Sequence, residues 1–373
     1  MKKDITTKDA EKTNDNFRPR VSVSPWLSLS ARVITGFVVM ISCFYVSPAN
    51  GQITIGKYAN DFLSIGVGGR ALGMGSAFTA VANDVTAGYW NPAGLSRLKF
   101  PEIILMHDQR YSDVVSFNYG AAAMSLSKDE TVGVSAIILS VSGIPNTQNA
   151  LIDYNGNGIF DPTDRLDYSK ITFFSATDVA LIGSYARRYS DNFSYGANVK
   201  FIRRSIGSTY GTGIGFDVGA LYMPFENFSL GANLQNATTT VVAWTTGTTE
   251  VLTPTLATGA AYHFSIGPTT IMPAVDLLFN FDNMRSASTV HVGPISADLR
   301  AGAEVSYKNV IAIRAGFNEV KQFTVGAGIR LPKLEIDYSF ARFAYSGALD
   351  DTHRISLKLV LENSKPLRGK PNS

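Results

Sequence analysis

Between about Pro101 and Glu362 apolar and polar residues alternate one by one, in blocks separated by turn-forming residues. That is the period of a β-strand with two different faces. In 192–201, Phe193, Tyr195, Ala197, Val199 and Phe201 share one face, and Asn192, Ser194, Gly196, Asn198 and Lys200 the other. In 299–308, Leu299, Ala301, Ala303, Val305 and Tyr307 oppose Arg300, Gly302, Glu304, Ser306 and Lys308. The last third repeats the pattern four times, ending with Ile355, Leu357, Leu359 and Leu361 against Arg354, Ser356 and Lys358. The segments fall near 101–108, 114–126, 131–143, 175–189, 192–205, 211–223, 226–236, 254–264, 268–279, 295–307, 309–318, 321–331, 333–344 and 352–362.

A soluble β-sandwich also alternates, so the period alone does not set the solvent. The segments run about ten residues, the length a tilted membrane strand needs. Their polar faces mix Gly with Arg, Glu and Asp, which suits an enclosed lumen where charges pair across strands. Lipid offers no water to unpaired backbone groups, so a spanning sheet has to close on itself. The expectation is an all-β, antiparallel transmembrane barrel of about fourteen strands, an even number that puts both termini on the periplasmic side. Loops at 145–174 and 237–253 are expected on the extracellular side. Pro273 interrupts the segment 268–279, where a bulge is favoured over an opening in the wall.

Composition agrees: 17% of residues are charged and 45% hydrophobic, with 33 glycines. No segment after the N-terminal lead has the ~20 continuous apolar residues of a membrane helix. Of the 33 basic and 30 acidic residues, seven and four lie in 1–51, which leaves 26 of each and a neutral remainder. A nucleic-acid partner, which calls for a basic stripe, is not expected. Within 1–51, Arg18, Arg20 and Arg32 precede the apolar run Val33–Val46, and Ala49 and Gly51 suit an export-signal cut before Gln52. Ile41-Ser42-Cys43 offers a lipidation site around the only cysteine. The run continues apolar through Phe44, Tyr45 and Val46, which favours simple cleavage and a cysteine-free product.

The segment 52–98 differs from the barrel, 99–362, and from the polar tail, 363–373. Its stretch Phe62–Leu98 is rich in small residues and lacks alternation. Gly66, Gly68, Gly69, Gly73 and Gly75 allow close backbone approach. Ala77–Ala82 is expected as a short helix, and Asn91-Pro92 as a turn in which Asn caps the residues after it. These features predict an N-terminal glycine-rich hatch folded inside the lumen. Its gate residues are expected to be Arg70, Asp84, Trp90, Asn91 and Pro92. For Arg70 and Asp84 an internal pair, or an anchor to lumen charges such as Glu304 or Arg330, is favoured over contact with a passing ligand, because a buried charge without a partner is costly.

Gly69-Arg70-Ala71-Leu72-Gly73-Met74-Gly75, Ala80-Val81-Ala82-Asn83-Asp84 and Tyr89-Trp90-Asn91-Pro92-Ala93-Gly94-Leu95 together resemble the N-terminal signature of the PorV/PorQ family of outer-membrane proteins. That family is similar in fold to the FadL-type fatty-acid channels. The resemblance implies a fourteen-stranded barrel with an N-terminal hatch. The chain departs from such barrels at its end, where Leu361 and a polar tail replace a terminal aromatic residue.

Asp153, Asn155, Asn157, Ile159, Asp161 and Asp164 stand at positions 1, 3, 5, 7, 9 and 12 of a twelve-residue loop with Gly158 at position 6. That is the spacing of an EF-hand calcium loop, Ile159 ligating through its carbonyl. Asp164 replaces the usual Glu, as in dockerin-type and thrombospondin-type repeats, which the loop resembles. A Ca2+ site is preferred here over a plain polar loop.

Signals of an enzyme are missing from the sequence: the histidines are isolated and neither a P-loop nor GxSxG occurs, so no activity and no organic cofactor are expected. The PorV/PorQ resemblance implies an accessory role in type IX-like protein secretion, with secretion subunits and exported cargo as partners beside outer-membrane lipid. The alternative is a FadL-like channel for long-chain fatty acids or other hydrophobic small molecules. Strand faces read as mostly Gly and charge incline the expectation towards secretion.

Overall fold

The computed structural model describes residues 61–110, 114–281, 288–292, 295–343 and 351–362. The export signal and Cys43 in 1–51, the first hatch residues 52–60 and the tail 363–373 lie outside the described residues.

Fourteen antiparallel strands form the wall: β1 Glu102–Arg110, β2 Val115–Ser125, β3 Glu130–Asn146, β4 Thr172–Arg188, β5 Phe193–Ile206, β6 Thr209–Phe225, β7 Phe228–Gln235, β8 Thr255–Tyr262, β9 Thr269–Asn280, β10 Ile295–Tyr307, β11 Ile311–Phe317, β12 Gln322–Arg330, β13 Leu334–Phe343 and β14 Thr352–Val360. Each pairs with the next, and β14 returns to β1 with Glu102 opposite Val360 and Asp108 opposite Arg354. The sheet is closed. Each segment read from alternation coincides with one strand.

Side chains alternate as the sequence does. On β5, Ser194, Gly196, Asn198, Lys200 and Ile202 are buried inside, while Tyr195, Val199 and Phe201 point outwards. Outward positions on other strands are apolar too: Leu105, Ile313, Val325 and Leu357 are 64%, 61%, 52% and 44% exposed. An apolar belt around a closed barrel is the surface that hydrocarbon solvates. The chain is an integral barrel of the outer membrane.

Pro273 produces neither a bulge nor a shift of register. It lies opposite Ala303 in an unbroken ladder between β9 and β10. On its other side Ala261 faces Ala274, and a short continuation, Phe264–Ile266, faces Ile271–Thr269 in the same register. The missing proline N–H only leaves the pair beside it outside the ladder.

Strands β3, β4 and β6 have 17 residues each. That exceeds the 9–11 a membrane strand requires, so this side of the wall stands above the membrane. The expected loop 237–253 is largely a hairpin, Thr240–Trp244 with Thr249–Leu252. Its first strand extends the wall by pairing with β6 from Val241 opposite Ile214 to Trp244 opposite Gly211.

Candidate functional site

Residues 61–98 fill the barrel as three short helices, α1 Asp61–Ser64, α2 Gly69–Gly73 and α3 Ala87–Trp90, followed by a 3-10 turn at Pro92–Arg97. Asn91 caps that turn, its Oδ1 accepting from the Ala93 N–H at 3.2 Å. The expected helix at Ala77–Ala82 is reduced to a single turn, the Ala82 N–H donating to Phe78 O at 2.9 Å. The N–H groups of Phe78 and Thr79 both donate at 2.9 Å to Asp276 Oδ2 on β9. Asp276 thus caps the turn from the wall, but the carbonyls of Thr79 and Ala80 that would carry a helix onward accept from Asn91 Nδ2 at 2.9 Å and Ser229 Oγ at 3.0 Å instead.

Glycines on the inner wall seat the hatch backbone. A Cβ at Gly302 would lie 2.1 Å from Met74 O, one at Gly231 2.3 Å from Thr79 O, and one at Gly219 2.2 Å from Asn91 Oδ1. Only a residue without a side chain leaves room there. Wall amides supply hydrogen bonds to the same backbone: Asn198 Nδ2 to Gly88 O at 2.8 Å and Asn233 Nδ2 to Trp90 O at 3.0 Å.

The opposite side of the hatch is held by charge. Arg70 donates from Nε and Nη2 to Glu304 at 2.9 and 3.2 Å, and from Nη1 to Asn83 Oδ1 at 2.7 Å. Its Nη1 also lies 3.5 Å from Asp84. Glu304 is shared with Arg314 at 2.6 Å and Arg330 at 3.2 Å. Asp84 has Lys358 at 3.8 Å and accepts from the Thr86 hydroxyl at 2.5 Å. Arg70, Asp84, Glu304, Arg314 and Lys358 are buried, Arg330 is half-buried and Asn83 is exposed. Such an arrangement holds together only because every charge has a partner.

The remaining residues expected at the gate cluster at the hatch centre. Trp90 Nε1 donates to Val67 O at 2.9 Å, and its ring meets Tyr89 and Phe78 edge-on. Asn91 Nδ2 bridges Thr79 O and Ala220 O at 2.9 and 3.0 Å. Pro92 lies against Gly196 and Gly219.

Above the hatch, on its extracellular side, the lumen is not mostly Gly and charge. Phe117, Ile137, Ile182 and Ile202 of β2 to β5 point inwards and are at most 2% exposed. With Phe62 and Leu63 of α1, and Val242 and Leu252 of the hairpin, they form one apolar column. The sequence pattern missed it because β2 to β4 carry apolar residues on both faces. A small cleft of about 20 Å³ lies at its edge between Leu63, Tyr89, Ile182, Lys200 and Asp217. A second, of about 450 Å³, lies below the hatch between Asn83, Arg97, Leu98, Phe100 and Glu102.

The loop 153–164 is compact and outside the membrane. Asp153 accepts from the N–H groups of Gly156 and Gly158 at 2.6 and 2.7 Å, and Gly158 has φ +74°. These bonds hold the Asp153 carboxyl below its ordinary range. Asp161, hydrogen-bonded by Thr163 and then by Asn155 and Asn157, is pulled down to about 2. Asp164 accepts from Tyr154 N and Asp161 N, both at 3.0 Å. Ile159 donates its N–H to Asn157 Oδ1 at 2.7 Å. The structure brings these residues into one loop, but among the described residues no three carboxylate, histidine or cysteine side chains converge as metal ligands.

A family model described as an uncharacterised protein family, UPF0164, matches residues 37–141. No curated protein matches the chain. Among solved structures, the Ralstonia pickettii toluene transporter TbuX is similar with a TM-score of 0.53 at 13% identity, covering 79% of this chain and 98% of that one. The P. putida toluene transporter TodX is similar with a TM-score of 0.51 at 12% identity, covering 79% and 99%. At such identities the likeness concerns fold alone: the chain has a fourteen-stranded outer-membrane barrel fold similar to those of TbuX and TodX.

Proposed function

We propose that this barrel is a channel for uptake of a hydrophobic small molecule, with the hatch as its gate. The observation that carries the proposal is the apolar column of Phe117, Ile137, Ile182 and Ile202 directly above the hatch. A lumen that merely had to be closed is served by paired charges, as on the β10–β14 side. A path for an apolar ligand needs apolar walls with few polar groups. The structural neighbours are described as toluene transporters, which is in keeping with this ligand class. Accessory service in secretion rests on the motif resemblance in Gly69–Leu95, and no described contact is peculiar to it.

In this reading Arg70 and Asp84 hold the gate shut, and Trp90, Asn91 and Pro92 form its pivot on the glycine seats. The test is quenching of the fluorescence of Trp90 and Trp244 by a brominated long-chain fatty acid added to the purified protein. Saturable quenching, lost in Ile182→Glu, supports the channel. Quenching that is absent, or that is equal in Ile182→Glu, overturns it.

A separate proposal concerns the loop 153–164, which we infer to take up Ca2+. Binding requires Asn155 and Asn157 to turn their amide oxygens, rather than their NH2 groups, towards Asp161. The EF-hand spacing and the positive φ of Gly158 support it.

A further inference from the structure

We propose that Asp178, Arg204 and Glu250 form an ionic clasp that closes the outer end of the apolar column and sets how fast a ligand enters it. The inference rests on the uptake reading and adds the site of entry.

Asp178, Arg204, Gly211 and Trp244 stand in one inward-facing row across β4, β5, β6 and the first hairpin strand. Arg204 grips Asp178 through Nε at 3.0 Å and Nη2 at 3.1 Å, both within the fixed wall. Its Nη1 reaches Glu250 Oε2 at 2.9 Å on the second hairpin strand. A flat sheet would keep those two strands about 14 Å apart, three spacings of roughly 4.8 Å. Glycine removes the difficulty. Gly211, Gly213 and Gly215 leave β6 bare on its inner face, and a Cβ at each would meet Trp244, Val242 and Thr240 at 2.9, 2.8 and 2.1 Å. The hairpin side chains lie flat on this strip, so the wall curls until Glu250 meets Arg204.

What the clasp covers is the column itself. Ile202 and Val242 are 0% exposed and Leu252 2%. Trp244 packs on the same apolar cluster, with the Arg204 guanidinium 5.9 Å from its ring. The two acidic partners have different duties. Asp178 holds Arg204 by two parallel bonds on the neighbouring strand. Glu250 holds it by one, from a hairpin of two short strands, Thr240–Trp244 and Thr249–Leu252. Releasing Glu250 frees the second hairpin strand and uncovers Leu252, while the first strand stays paired to β6 and Arg204 remains on Asp178.

The side chains of Arg204 and Glu250 are 15% and 22% exposed, so dissolved salt weakens their contact. The experiment is stopped-flow quenching of tryptophan fluorescence by a brominated fatty acid, with wild type and Glu250→Gln at low and high salt. Expected is a rate roughly 1.5- to fivefold faster in Glu250→Gln at low salt, as for loss of one partly exposed ion pair. Wild type should accelerate with salt and Glu250→Gln should not. If wild type binds but the two proteins share one rate and one salt response, the clasp is overturned and the channel stands. If wild type shows no quenching at all, the channel itself is overturned and the clasp with it.

Discussion

Arg70 of the hatch and Glu304 of strand β10 are joined by two hydrogen bonds of 2.9 and 3.2 Å, 234 residues apart in sequence. Removing one partner of a buried ion pair costs about 3–5 kcal/mol, mostly by stranding the other. Glu304 keeps Arg314 and Arg330, so Arg70→Ala should fall at the lower end. The hatch, not the wall, bears the loss. Liposomes carrying Arg70→Ala should leak small solutes faster than wild type while the variant still runs as a folded barrel in unheated gels. Unchanged leak and unchanged folded yield would remove Arg70 from the latch.

The wall glycines make a sharper test of whether the hatch is seated inside. Gly302→Ala places a methyl 2.1 Å from Met74 O, whereas Gly183 faces outwards with nothing within 4 Å. Gly302→Ala should expose the hatch to protease and Gly183→Ala should not. Equal resistance of the two variants contradicts the seat.

These two relationships differ in how far the sequence discloses them. Alternation revealed the fourteen strands because lipid and lumen demand opposite side chains at consecutive positions, and the compact block Phe62–Leu98 stood out for lacking that period. Glu304 could be suspected as a partner of Arg70 because a buried guanidinium needs an acid. Gly302 and Gly231 gave no such sign, since on a polar face glycine looks like filler until its neighbour is known. Ala77–Ala82 misleads for the same reason: the carbonyls that would carry the helix on are taken by Asn91 and by Ser229, the latter 149 residues beyond Ala80. Phe117, Ile137 and Ile182 stayed hidden because β2 to β4 are apolar on both faces, and period two then carries no direction.

Acid should loosen the outer loop before it loosens the barrel. Asp161 is held at about 2, mainly by Thr163, against roughly 3.9 for a free aspartate. A carboxyl lowered on folding stabilises above its free value and loses that contribution as pH falls through its folded value. The loop frame should be intact above about pH 4 and fail between about pH 4 and pH 2. Pepsin cleavage within 153–164 should rise over that interval in wild type and be high throughout in Asp161→Asn. A wild-type loop cut equally at both ends of the interval contradicts this.

At neutral pH the same loop tests for calcium. Millimolar Ca2+ should protect it from protease, and Asp153→Ala should abolish the protection, since Asp153 organises the turn through Gly156 and Gly158. Equal cleavage with calcium and with chelator dismisses the site.

The apolar column can be probed by position as well as by affinity. A crystal of the protein grown with a brominated fatty acid, measured at the bromine edge, shows where the ligand lies. The account predicts an anomalous peak inside the barrel among Phe117, Ile182 and Ile202, above the hatch. Bromine found only on the outer belt beside residues such as Leu105 and Ile313 would contradict it.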